Sequence, residues 1–311
     1  MGGAAPGDRH FAHVSASPRD ALRRGVLWLL VSELCYAVMR ISTRAGAGDL
    51  HWAEIAAARF LGGALVAVIA ARAQGVSLRV NDTKNAWLRS LFGTGGALCL
   101  FHALGTQGIS VGDATTLYST TPLWVAVLSA PMLGERVPMA VWGGVALGFA
   151  GVATLLKAGF AWSPTALLVL LGAVSYALAI LRLRRLSGRE SSEAIALHMS
   201  LTAGGIMLLI ALPHLKPVPT KAYLPLLLSA VSGGLGQVTV GRAYAHGAAA
   251  RLAALGYAGV VFTYLLELAI FRRAPQAHQI LGACMVIAAG VWVALASRSA
   301  APRVRESHVA E

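Results

Sequence analysis

The sequence predicts an all-α membrane protein of ten transmembrane helices, arranged as two inverted five-helix repeats. Composition is the first reason. Only 13% of the 311 residues are charged, half the ~25% typical of soluble domains, while 57% are hydrophobic and the mean hydropathy is +0.66. A soluble fold needs charged residues to cover its outside, and a disordered chain needs still more. The second reason is length: the chain divides into ten apolar stretches, each of roughly the 20 residues that span a bilayer. The third is that its two halves resemble each other at an offset of about 140 residues.

The predicted spans are approximately 24–43, 52–72, 87–107, 113–133 and 138–156, then 164–182, 193–212, 223–245, 251–271 and 276–297. The first repeat is therefore 24–156 and the second 164–297. Residues 1–23, polar and rich in Gly, Pro and Ser, read as a disordered cytoplasmic tail, and 298–311 as a cytoplasmic C-tail. The first apolar run contains Glu33, ends in Arg40 and Arg44 and has no A-x-A site, so it reads as a retained span.

A net charge of +13 would suggest nucleic acid in a soluble protein. Here it sets orientation. With both termini in the cytoplasm, 18 of the 26 Lys and Arg residues fall inside and seven outside, with Arg59 left within a span. That bias fits a multi-pass protein of the inner (plasma) membrane. Arg272 and Arg273 dissent from it. The expected partners are the lipid bilayer and a small-molecule substrate, with protons as a further candidate and no nucleic acid.

The internal repeat rests on several matches in order. Glu54 through Arg59 meets Glu193 through His198, Cys35-Tyr36-Ala37 meets Ser175-Tyr176-Ala177, and His102-Ala103 falls against Arg242-Ala243. Gly143 and Gly151 meet Gly282 and Gly290, each pair eight apart. Five spans per half is an odd number, so the second half enters the membrane from the opposite side. Inverted halves can exchange conformations about a site between them, which is a recurrent way to build a carrier.

The stretch from Gly112 to Trp124 (Gly-Asp-Ala-Thr-Thr-Leu-Tyr-Ser-Thr-Thr-Pro-Leu-Trp), followed by Leu133-Gly134-Glu135-Arg136, resembles the fourth-helix motif of EamA-type proteins of the drug/metabolite transporter superfamily. Ala57-Ala58-Arg59-Phe60 and the Gly143 and Gly151 pair resemble its second and fifth helices. The resemblance spans about residues 24 to 297 and implies ten helices in two inverted repeats. It implies substrates ranging over amino acids, vitamins, nucleotide-linked compounds and drugs. The second half departs from the motif, with Ile270-Phe271-Arg272-Arg273 where Leu-Gly-Glu would recur and no counterpart of Pro122.

An ionisable group at the bilayer centre costs about 2.5–3.5 kcal/mol on insertion scales, so the few within these spans are candidates for function. Glu33 shares a helix face with Tyr36 and Arg40. It could bind a substrate ammonium or carry a proton, or pair internally with Arg40 or Arg59. Arg59 is either a helix clamp or a carboxylate ligand. His102, on one face with Gly95 and Cys99, reads as a pH-sensitive ligand or a packing histidine, and His198 faces the same choice. Tyr118 with Pro122 suggests a kinked, hydroxyl-lined cavity wall, while Asp113 reads as a helix N-cap. Gln237, among the glycines of the eighth span, could bond substrate or a neighbouring helix. Tyr257 is a candidate substrate contact. Glu267 would be neutralised by Arg272 or Arg273, and Arg242 is a further structural or coupling charge.

No phosphate-cradling loop, metal-spaced Cys/His cluster or catalytic carboxylate pair is present, so no cofactor, no metal and no enzyme activity are expected. The expected function is secondary transport of a small organic metabolite, with an amino acid or aromatic compound favoured and export as the direction. An integral-membrane enzyme and a non-transporting sensor or scaffold are the alternatives.

Overall fold

The side chains that the bundle turns outward are apolar. Leu65, Ile69, Leu209, Leu227, Leu265 and Leu281 are all more than half exposed, a surface that suits lipid and not water. A computed structural model describes residues 18–106, 108–133, 138–156, 163–186, 189–246 and 256–299. Its helices are α1 (Pro18–Gly46), α2 (Trp52–Gln74), α3 (Thr83–Gly105), α4 (Val111–Tyr118), α5 (Thr121–Leu133) and α6 (Met139–Leu155). They continue as α7 (Pro164–Leu186), α8 (Ser192–Ala211), α9 (Thr220–His246), α10 (Ala258–Phe271) and α11 (Ala277–Ser299). Among the described residues there is no β-strand, and six helices are long and apolar enough to cross a membrane.

Capping chemistry sets several helix starts. His51 and Glu54 form a capping box at α2, with the Ala53 N–H donating to the His51 side chain and the His51 N–H to Glu54. Asp82 caps α3, Ser110 caps α4 and Ser191 caps α8, each accepting from the backbone N–H three residues on. Two helices begin a turn or more before their expected spans. α1 begins at Pro18, so part of the expected N-tail is helical, because proline is favoured in a first helical turn. α3 begins at Thr83, a turn before the expected start of its span. The rest of the N-tail, the C-tail from residue 300, Glu135, Arg136 and residues 251–255 lie outside the described residues.

The fourth span is broken. α4 ends at Tyr118 and α5 begins at Thr121, with Ser119 and Thr120 between them. Pro122 therefore does not kink a continuous helix as expected. It stands in the first turn of α5, where a missing N–H costs nothing. Asp113 is likewise not the N-cap of α4, since Ser110 holds that place. Its carboxylate accepts from the Tyr264 hydroxyl at 2.7 Å and from Gln279 Nε2 at 2.5 Å. Glu267 is not paired with Arg272 or Arg273. It accepts from the Val111 and Gly112 N–H groups at 3.0 and 2.7 Å, satisfying orphan donors of α4 and complementing its positive end.

Helix pairing across the chain is regular. α1 packs on α9 and α3 on α7, while α2 packs on α8 and α6 on α11. The α6–α11 crossing is close enough to require glycine. A Cβ at Gly282 would lie 2.6 Å from the Leu155 backbone nitrogen and 2.7 Å from the Gly151 carbonyl oxygen, so neither helix admits a side chain there.

Candidate functional site

Burial of cations defines the site. Arg40, Arg59 and Arg89 are each less than a tenth exposed, inside α1, α2 and α3. Each would be costly in the bilayer interior without acceptors, so the partners of each guanidinium decide its role.

Arg59 is fully engaged. It donates from Nη1 to Gln237 Oε1 at 3.1 Å, from Nη2 to the Gly233 carbonyl at 3.2 Å and from Nε toward the Met39 sulfur at 3.3 Å. Its guanidinium lies 4.0 Å from the Phe60 ring centroid. Gln237 in turn donates to the Ala196 carbonyl at 3.1 Å. Arg59 and Gln237 thus tie α1, α2, α8 and α9 together, with their polar atoms spent on protein.

Arg40 and Arg89 differ from Arg59. In both, Nε and Nη1 are buried with no hydrogen-bond acceptor among the described residues. The Arg40 guanidinium lies 5.9 Å from the Tyr36 ring centroid. Arg89 is within electrostatic reach of Tyr176, Tyr36 and Tyr118. The Tyr118 and Tyr176 rings stack at 5.4 Å and 30°, and Tyr118 is also within reach of Arg40. The Glu33 carboxylate packs over Gly259, which also lies beside Arg40, at a contact that no side chain at residue 259 could share. These groups form one cluster of two guanidiniums that lack acceptors at Nε and Nη1, three tyrosines and one carboxylate. Its members come from α1, α3 and α4 of the first half and from α7 of the second, with Gly259 of α10 against Glu33.

Glu33, Tyr36 and Tyr118 are therefore brought together, and the remaining candidates lie elsewhere. His102 contacts the Trp52 ring edge-on at 5.3 Å, at the start of α2. His198 Nδ1 and Ser90 Oγ are hydrogen-bonded at 2.8 Å, with Trp87 against the imidazole. Arg242 lies 3.9 Å from Glu193 and over the Trp28 ring. Tyr257 is buried against Gly290, with no hydrogen-bond partner for its hydroxyl among the described residues. Pro122 stands in the first turn of α5, four residues beyond Tyr118. Glu267 serves the α4 terminus, where Arg44 also donates to the Ile109 carbonyl.

Sequence reasoning missed Arg89 and Tyr176 as members of the cluster and offered Arg40 only as an internal partner of Glu33. Arg40 and Arg89 fall near the ends of the expected spans 24–43 and 87–107, where the orientation count assigns them to the flanking loops. Tyr176 carried a signal, since it aligns with Tyr36 in the internal repeat. Outside the spans, His51 stacks on His214 at 4.0 Å. Burial, and then the positive charge of His214, push its pKa below the ordinary 6.5, with Glu54 opposing and His102 adding to the depression.

Comparison with known proteins agrees with this architecture. The EamA-like transporter family matches twice, over residues 23–157 and 163–295. The chain is 28% identical to the pseudopaline exporter of Pseudomonas aeruginosa, over 87% of this chain and 95% of that protein. It is 22% identical to the S-adenosylmethionine uptake transporter of Rickettsia prowazekii, over 93% and 99%. A solved crystal structure superposes with a TM-score of 0.67 at 26% identity, covering 88% of this chain and 98% of the other. With both copies of the family's signature spanning nearly all of the helical bundle, this multi-pass membrane protein belongs to the EamA-like transporter family.

Proposed function

We propose that the chain is a secondary carrier that exports a small organic metabolite, an amino acid or aromatic compound, across the inner membrane by alternating access. Its two five-helix halves are read as inverted repeats, with both termini in the cytoplasm. The helix pairing carries this reading. If α1–α6 and α7–α11 are related by a twofold axis, the α1–α9 contact is the counterpart of α3–α7, and α2–α8 and α6–α11 sit on the axis. A buried polar cluster assembled from both halves is where such an exchange would expose a solute first to one side and then to the other. The broken fourth span adds a point at which α4 and α5 can move separately.

The relatives include one named as an exporter and one as an uptake transporter. Export therefore rests on the pseudopaline exporter being the more similar of these two. Proton coupling, where present, would run through Glu33, the carboxylate of the central cluster. The test is solute flux in liposomes that contain this protein alone. Efflux of a small organic solute above that of empty liposomes supports the carrier. Flux equal to empty liposomes for amino acids and aromatic acids alike contradicts it. Reporter fusions at residues 160 and 190 read the topology, and the inverted arrangement requires opposite sides.

A further inference from the structure

We propose that Arg40 and Arg89 form an anion-binding site in the central cluster, and that the transported solute is an organic carboxylate. This deepens the carrier reading above and rests on it for the word transported. The inference starts from a charge imbalance. Three buried guanidiniums, Arg40, Arg59 and Arg89, stand around Tyr36 with a single carboxylate, Glu33, while the fourth buried arginine, Arg44, lies apart, near Glu267. Arg59 spends its donors on Gln237 and Gly233, whereas Arg40 and Arg89 each hold Nε and Nη1 buried and unsatisfied. An apolar or cationic ligand would leave those donors orphaned and the excess positive charge in place. A carboxylate supplies acceptors and opposite charge together, and such charge-assisted bonds are the strong ones.

The neighbours narrow the ligand further. Tyr36 lies against Arg40, Tyr118 and Tyr176 stack on each other, and all three are within electrostatic reach of Arg89; aromatic rings accept a planar or aromatic body while their hydroxyls bond polar edges. Glu33, beside Arg40, disfavours a highly charged anion such as a phosphate dianion. The assignment is therefore a carboxylate attached to a flat apolar body, held between α1 and α3 of one half and Tyr176 of the other.

The experiment measures dissociation constants for four probes on the full-length purified chain: 3-phenylpropionate, its neutral amide, 3-phenylpropylamine and phenyl phosphate. The carboxylate is expected to bind at least about tenfold more tightly than the amide or the amine, with phenyl phosphate weaker than the carboxylate. Arg40→Gln and Arg89→Gln are each expected to weaken carboxylate binding by about 10- to 100-fold and to leave amide binding within about twofold. Arg89→Lys is expected to recover part of the loss. The wild-type probe series requires no variant to fold. Equal affinity for carboxylate and amide, or no carboxylate binding at millimolar concentration, overturns the site. Equal losses for carboxylate and amide in both Gln variants overturn it as well. Tighter binding of the phosphate than of the carboxylate overturns the ligand assignment. Liposome flux of the same probes separates the two readings. Flux of amide or amine without carboxylate preference sinks the anion site and keeps the carrier, whereas carboxylate binding without flux of any probe keeps the site and sinks the carrier.

Discussion

Replacing Arg59 by Met removes a guanidinium whose three nitrogens each donate to protein. The Gly233 carbonyl lies inside α9 and keeps its helical partner, so the group left unpaired is Gln237 Oε1, in the bundle interior. Leaving one buried acceptor unsatisfied costs about 1–3 kcal/mol. Gln237→Met alone takes an acceptor from a buried cation, at about 1.5–3 kcal/mol. In the double variant both partners are apolar and of similar volume, so most of the penalty disappears. A double-mutant cycle should therefore give a coupling energy of about 1–3 kcal/mol. The assay is chemical unfolding of the purified chain in lipid nanodiscs, followed by helical circular dichroism. Two outcomes together would refute the clamp: an Arg59→Met variant as stable as wild type, and a cycle additive within about 0.5 kcal/mol. A loss of solute affinity in that stable variant would assign Arg59 to the substrate instead.

Three further predictions address single groups. Glu267→Gln leaves one oxygen for two N–H groups of α4 and loses the charge that faces that helix end, so it should cost about 1–2 kcal/mol and speed hydrogen exchange at Val111 and Gly112; unchanged exchange at both would contradict the assignment. Arg272 ends α10 with φ of 56°, a left-handed conformation costing about 1–2 kcal/mol for a side chain with a Cβ. Arg272→Gly relieves it at some entropic cost in the unfolded chain, so a net gain of up to about 1 kcal/mol is expected, and a loss of stability would count against the strain. His51 accepts the Ala53 N–H while neutral, and its folded pKa is depressed below 6.5. Its contribution is thus fully present above the unfolded pKa and lost as pH falls through the folded one. Unfolding temperature should drop on acidification below about pH 6.5, and His51→Asn, which keeps a capping side chain without titrating, should flatten that slope. An identical slope in the variant would remove His51 as its source.

The membrane class was legible because it depends on bulk composition, and the spans because each is a contiguous apolar run. What escaped depends on where helices end and what neighbours they meet. Arg40 and Arg89 lie at the polar margins of apolar windows, and a hydropathy pattern cannot distinguish a charge in a loop from one folded into the bundle a turn earlier. Pro122 was an available signal for a broken helix, yet the break falls at Ser119 and Thr120, since proline is as content to begin a helix as to interrupt one. Glu267 was read against the nearest cations in sequence, whereas its partners are backbone donors some 155 residues away. Tyr176 was within reach, because repeat alignment set it opposite Tyr36. Arg59, matched by family resemblance and weighed as a clamp or a ligand, sits in a geometry that engages each of its three guanidinium nitrogens with protein.

The central claim is that a solute is carried by a site that exchanges sides, and counterflow reads that exchange directly. Liposomes containing only this protein are loaded with an unlabelled carboxylate and placed in a trace of the labelled compound. A carrier predicts transient accumulation of label above equilibrium, stimulated by the internal solute and diminished by Arg89→Gln. Label entry that is indifferent to the internal solute, or equal to that of empty liposomes, would contradict alternating access.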